Sequence, residues 1–201
     1  MELNSAQTDA LSIYQHLIRL IVPRPIAWVS TISTSGRTNL APFSFFSGVG
    51  SKPPSLLFCP ANRRDGTMKD TMRNVVSQGE FVVNIVSEDV CAVMNQTAAE
   101  LPEEESEFQT FGVAEAPSVV VRPPRVAGSP AQLECRLMQM IRLGEGGGAA
   151  NIIIGEIVHL AIRDSVLDAR GYADPEKMQV VGRMGGSSYC RTGDRFELKR
   201  P

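Results

Sequence analysis

The sequence predicts a mainly β fold with appended helices, arranged as an antiparallel barrel. Three observations point there: many short runs of alternating or β-branched residues, two internal stretches with helical period, and frequent turn signals between them. At 201 residues, 43% of them hydrophobic, the chain is long enough for a sizeable core and fits one domain over 1–201.

The elements follow in order. An N-terminal extension, 1–19, carries His16 on an amphipathic segment. "AWVSTIST" alternates and is β-branched, "SGRTN" supplies Gly36 and polar turn residues, and "LAPFSFFSGV" resumes an extended pattern, so the three read as a hairpin. "SLLFCP" is a short apolar run suited to a buried strand and closed by Pro60. Met68, Met72, Val75 and Val76 then share one face of a helix, with Thr67 as its N-cap and Gly79 as its stop. "EFVVNIV" returns to a strand, and "SEDVCAVMNQTA" reads as a second helix capped by Ser87, with Glu88 and Asp89 in its first turn.

"ELPEEESEF" is expected as a surface excursion, its acidic run Glu103 to Glu105 solvated. Leu133, Cys135, Leu137, Gln139 and Ile141 would share one face of a strand, "EGGGA" bends the chain, and "NIIIGEIVHLAI" is a long strand with Gly155 inside it. The glycine-rich and basic tail is either a loop over a site or a surface segment.

Charge and cysteine usage narrow the function. A net charge of -2 gives no basic field for nucleic acid or an anionic membrane. Four scattered cysteines, two histidines and no CxxC pair argue against a structural zinc site and a disulfide scaffold. No run approaches a membrane span, and a cytoplasmic protein with reduced thiols and a small-molecule or protein partner is expected.

Two segments carry candidate chemistry. In "RRDGTMKDTMRN", Arg63, Arg64 and Lys69 and the hydroxyls of Thr67 and Thr71 would converge on a helix N-terminus, where unpaired N–H groups favour a phosphate. An ordinary capped helix uses the same residue types. In "NLAPFSFFS", Asn39, Ser44 and Ser47 offer polar groups, Ala41 and Pro42 leave backbone uncovered, and Phe43, Phe45 and Phe46 supply apolar walls for a flat ring. Phe43 and Phe45 alternate equally well as core residues, with the serines facing water. Since only "SLLFCP" and a loop separate the segments, a ligand with a flat heteroaromatic ring and a phosphate tail would bridge them, and flavin mononucleotide (FMN) is such a ligand. No GxGxxG joins a strand to a helix, which disfavours a Rossmann site.

The ordered set "RPIAWVST…GRTNLAPFSFFSGVGSKPPSLLF", "KDTMRN", "EFVVNIV", "SPAQLEC", "IIIGEIVHLAI" and "VGRMGG" followed by Tyr189 resembles the flavin reductase-like, FMN-binding split-barrel family, which includes flavoredoxins. The likeness runs from about Leu20 to the C-terminus. It implies an antiparallel split β-barrel that forms a homodimer, with FMN in clefts lined by both subunits. It places Ser30, Thr31 and Asn39 beside the isoalloxazine ring and Ala41, Pro42, Phe43, Ser44, Phe45, Phe46 and Ser47 along the ring and ribityl chain. Lys69, Asp70 and Thr71 would lie at the phosphate, with Asp70 acting through its backbone N–H or as a cap, and Arg63 or Arg64 adding charge. Arg183 to Gly186 and Tyr189, in the C-terminal segment 183–201, would approach the site or the dimer partner.

The activity implied is an FMN-dependent oxidoreductase taking hydride from NADH or NADPH. The alternatives are a flavoredoxin-like electron carrier and a flavoprotein acting on an organic catabolic substrate. No catalytic acid–base residue and no metal is expected, because hydride chemistry belongs to the cofactor. His159 reads as a core or rim histidine. Trp28 is expected either in the barrel interior or near the flavin, and Cys59 lies at a strand end.

Overall fold

In a computed structural model, residues 1–199 are described; Arg200 and Pro201, the end of the expected segment 183–201, lie outside the described residues. The chain opens with α1 (Ala10–Leu20), β1 (Ala27–Ile32), β2 (Thr38–Phe43), β3 (Phe46–Ser51) and β4 (Pro54–Phe58). The middle holds α2 (Asp70–Gln78), β5 (Glu80–Ile85), α3 (Glu88–Gln96), α4 (Glu107–Thr110) and the short pair β6 (Glu115–Ala116) and β7 (Arg125–Val126). Then come two long strands, β8 (Ala131–Leu143) and β9 (Ala150–Ile162), α5 (Pro175–Met178), and a terminal hairpin of β10 (Val181–Gly185) and β11 (Ser188–Arg191).

Seven strands form one antiparallel sheet in the order β2-β1-β5-β8-β9-β4-β3. Consecutive strands β2 and β3 are therefore its two edges, yet only Ser44 and Phe45 join them. Three Cα steps reach about 10–11 Å, so the sheet curls until its edges approach. The Cys59 N–H bonds the Phe45 carbonyl at 2.8 Å, and Phe43 of β2 packs on Phe58 of β4 with ring centroids 5.2 Å apart. The expected single run "LAPFSFFSGV" is thus two strands: β2 completes the hairpin with β1, and β3 begins another with β4.

Two apolar clusters fill opposite faces of β1. Ala27 and Val29 pack with Phe43, Phe58, Val75 and Phe81 inside the curl, whereas Trp28 joins Leu40, Val86, Met94 and Phe108 beneath the helices. Trp28 is fully buried, its Nε1 donating to the Thr97 hydroxyl at 2.8 Å. Gly155 faces Phe81, whose Cζ would lie 2.4 Å from an added Cβ, so the interior glycine is demanded by that ring.

Two local expectations are corrected. Thr67 does not cap α2: its N–H and hydroxyl bond the Asp65 carboxylate at 2.9 and 2.6 Å in a turn through Gly66, and the N-cap position is Lys69. Gly79 closes α2 as expected, with φ 71° and its N–H on the Val75 carbonyl. In β8 the pairing register shifts between Leu137 and Gln139, so Met138 is the extra residue of a bulge. Leu133, Cys135 and Leu137 face the core as predicted, but beyond the bulge Met140 replaces Gln139 and Ile141 there. The N-terminal extension holds a full helix, α1, whose N-cap Asp9 accepts the Ser12 N–H at 2.8 Å.

Candidate functional site

The site grows from the alternation of β1 and β2. Thr31 and Asn39 are cross-strand partners, and both reach α2: the Thr31 hydroxyl accepts from Asn74 Nδ2 at 3.0 Å, and Asn39 Nδ2 donates to the Thr71 hydroxyl at 2.9 Å. These bonds fix the first turns of α2 against the sheet. The Asp70 carboxylate is held by Arg63 and Arg73, Arg63 also donating to the Met68 carbonyl at 2.8 Å. Asp70 therefore acts as the anchor of two guanidinium groups. Lys69 and Arg64 have no carboxylate partner among the described residues.

A small cavity of about 50 Å³ lies in front of this turn, with Asn39, Ala41, Lys69, Asp70 and Thr71 on one side and the chain from Thr97 to Leu101 on the other. Ala98 also borders a larger cavity of about 210 Å³, lined by Pro42, Ser44, Arg24, Ile26 and Met94 among others. Seven of the fourteen anticipated cofactor residues thus line two neighbouring cavities along β2.

The others stand elsewhere. Ser30 is fully buried on the opposite face from Thr31, its hydroxyl donating to the Pro124 carbonyl at 2.5 Å. Thr31 is likewise sealed under α2, and Phe43 is a core residue. Phe46 is half-buried against the same core, and Phe45 is half-buried with the Arg24 guanidinium 5.8 Å from its ring centroid. Ser47 and Arg64 are exposed and border neither cavity.

Buried charges complete the electrostatics. Glu107 on α4 accepts the Leu40 N–H at 2.8 Å, yet burial outweighs that bond and raises its pKa, and Asp70 nearby adds to the rise. Burial also lowers the Arg24 pKa and raises that of Cys59, which disfavours a Cys59 thiolate. Among the described residues, no group of three or more His, Cys, Asp or Glu side chains is placed to hold a metal ion. Sequence reading missed Arg24, Glu107 and the Thr97–Leu101 wall, for each is isolated in sequence and acquires its neighbours only through the fold.

Residues 19–180 match the family model described as the flavin reductase like domain. The chain belongs to the flavin reductase-like family. A protein of Deinococcus radiodurans is 46% identical over 195 residues, covering 93% of this chain and 84% of that one. Among solved structures, nitrilotriacetate monooxygenase component B from Bacillus cereus superposes with a TM-score of 0.93 at 33% identity, covering 98% of each chain. The 2-nitrobenzoate 2-nitroreductase of Pseudomonas fluorescens gives 0.90 at 29% identity, covering 100% of this chain and 96% of that one. The curled seven-stranded sheet is the split barrel of the flavin reductase-like family.

Proposed function

We propose that this flavin reductase-like chain folds as one domain over 1–201 and binds FMN, taking hydride from NADH or NADPH, as a cytoplasmic homodimer. The observation that carries this reading is the small cavity where the Asn39–Thr71 bond holds β2 against the start of α2 beside Lys69, which has no ion pair among the described residues. Its donor set suits a phosphate: a lysine without a carboxylate partner among the described residues, Arg63 close by, and the N–H groups of the first turn. Asp70 is compatible with an anion because Arg63 and Arg73 neutralise it.

When bound, FMN supplies a ring that accepts a hydride and passes electrons onward. The protein's part is position. Lys69 and Thr71 hold the phosphate end, and Asn39 and Ala41 continue the wall along β2. Pro42 and Ser44 lead the wall toward the larger cavity, and Phe45 and Phe46 stiffen the bend behind it. Thr31 supports the wall through its hydroxyl bond to α2, and Ser30 braces the opposite face of β1 through its bond to the Pro124 carbonyl. Leu11, Leu17 and Leu20 of α1, with Val49 of β3, leave apolar surface exposed, which supports the homodimer. All four cysteines are free, in keeping with a reducing compartment.

The test is an absorbance spectrum of the purified protein before and after anaerobic addition of NADH and, separately, NADPH. Flavin absorbance bleached by one nicotinamide is expected. Failure to bind FMN at micromolar concentration would end the proposal, and binding without bleaching by either nicotinamide would remove the reductase activity.

A further inference from the structure

The larger cavity contains an electrostatic arrangement that flavin binding at the neighbouring site does not require. Arg24 and Arg183 face each other as directly paired antiparallel residues, exchanging N–H···O bonds of 2.9 and 2.8 Å. Like charges directly opposite each other are unfavourable, and neither arginine has a carboxylate partner among the described residues. Among the described residues no Asp or Glu is found lining the cavity, although the chain as a whole is net negative.

Arg24 is only 4% exposed. Its Nη1 reaches the carbonyls of Ile18, Ile21 and Met184, the first two at the end of α1, and its Nε reaches the Ser44 hydroxyl at 3.3 Å. Its Nη2 has no acceptor among the described residues. Arg183 commits Nη2 to the Gly186 carbonyl and stacks on Tyr189 at 4.5 Å, while the Tyr189 hydroxyl is fixed by Asn95 at 2.9 Å. Two oriented guanidinium groups therefore retain free donors around one space, beside Tyr14 and apolar Ile18, Ile26 and Met94.

From this geometry we propose that the cavity is a binding site for a small monocyclic carboxylate, its anion between Arg24 and Arg183 and its ring against Tyr14, Tyr189 and the apolar wall. Size supports that class. An apolar cavity of about 150 Å³ accommodates benzene, and this one measures about 210 Å³, leaving room for a carboxylate as well. A carboxylate accepts paired guanidinium hydrogen bonds in the plane that arginine presents. The anion also removes the repulsion that the facing arginines otherwise retain. As an electron acceptor or modulator at the flavin, the ligand rests on the FMN reading; as a bound anion, it does not.

Calorimetric titration of the full-length, FMN-loaded protein with benzoate and with its neutral isostere benzamide tests the site. Benzoate should bind with a Kd of about 1 mM or tighter and benzamide about tenfold or more weaker. Arg24 is woven into the fold, so the informative variant is Arg183→Gln, which retains the backbone pairing and should lower benzoate affinity about tenfold. Equal affinity for the two probes, or undiminished benzoate binding in Arg183→Gln, would overturn the proposal. Tighter, competitive binding of ADP-ribose would also overturn it in favour of a nucleotide. The same titration of flavin-free protein separates the two readings: benzoate discrimination survives there even if FMN binding fails.

Discussion

Asn39 on β2 donates from Nδ2 to the Thr71 hydroxyl on α2 at 2.9 Å, closing a gap of 32 residues in sequence with a single bond. Both residues are nearly inaccessible to solvent. A donor removed there leaves a buried hydroxyl without its partner, at a cost of about 1–3 kcal/mol. Asn39→Ala should therefore lower stability in urea by that amount and weaken FMN binding, because the first turn of α2 loses its tie to the sheet. Thr71→Val should do the same, and the double variant should cost less than the sum. Additive losses in this cycle would show that the bond does not couple strand and helix.

Lys69 occupies the N-cap position of α2 without a side-chain cap bond or an ion pair among the described residues, so its charge is available to a ligand. Lys69→Ala should weaken FMN more than riboflavin, by about 1–3 kcal/mol, since only FMN carries the phosphate that a charge-assisted bond would recognise. Fluorescence titration with both flavins gives the difference directly. Equal losses would remove Lys69 from the phosphate end.

What the sequence made legible was local. Alternation located β1, β8 and β9, "EFVVNIV" reads as the strand that is β5, and Gly79 marked the end of α2, because each signal is written in neighbouring residues. The Met138 bulge was invisible, since one extra residue leaves the composition of a strand unchanged while reversing which side chains meet the core. Thr67 misled because Asp65 captures the hydroxyl that a cap would use. The candidate site was half legible: "NLAPFSFFS" and "KDT" were recognised as neighbours, but the cavity of Tyr14, Arg24, Asn95 and Arg183 draws on four distant segments that only the curled sheet and terminal hairpin assemble.

Glu107 carries a pH dependence. Burial raises its folded pKa above the ordinary carboxyl value of about 4.3. In the window between those two values the folded state holds more proton than the unfolded one, so stability falls as pH rises through it. The contribution is most favourable below the ordinary value and is lost once pH passes the raised one. Glu107→Gln keeps an oxygen for the Leu40 N–H and removes the charge. Relative to wild type, its thermal midpoint should gain steadily from pH 4.5 upward, reaching parity or better at pH 7. Parallel pH profiles for the two proteins would show that Glu107 is not the source.

Gly147 tests how the β8–β9 turn supports the phosphate end. An added Cβ there would lie 2.3 Å from the Arg64 carbonyl oxygen and 3.0 Å from its carbon, both backbone atoms that cannot rotate aside. The same turn holds Asn62, whose Nδ2 donates to the Gly146 carbonyl at 3.1 Å and whose N–H donates to the Ala149 carbonyl at 2.9 Å. Gly147→Ala must therefore push the turn away from residues 62–66, displacing Arg63 from Asp70 and loosening the approach to α2. Overpacking of this kind costs about 1–3 kcal/mol. The variant should lose that much stability and bind FMN more weakly, whereas Gly193→Ala, where a Cβ meets nothing within 4 Å, should leave both unchanged. Denaturant titration and FMN fluorescence read the two effects separately. A Gly147→Ala protein with lowered stability but full FMN affinity would show that the turn supports the fold and not the site.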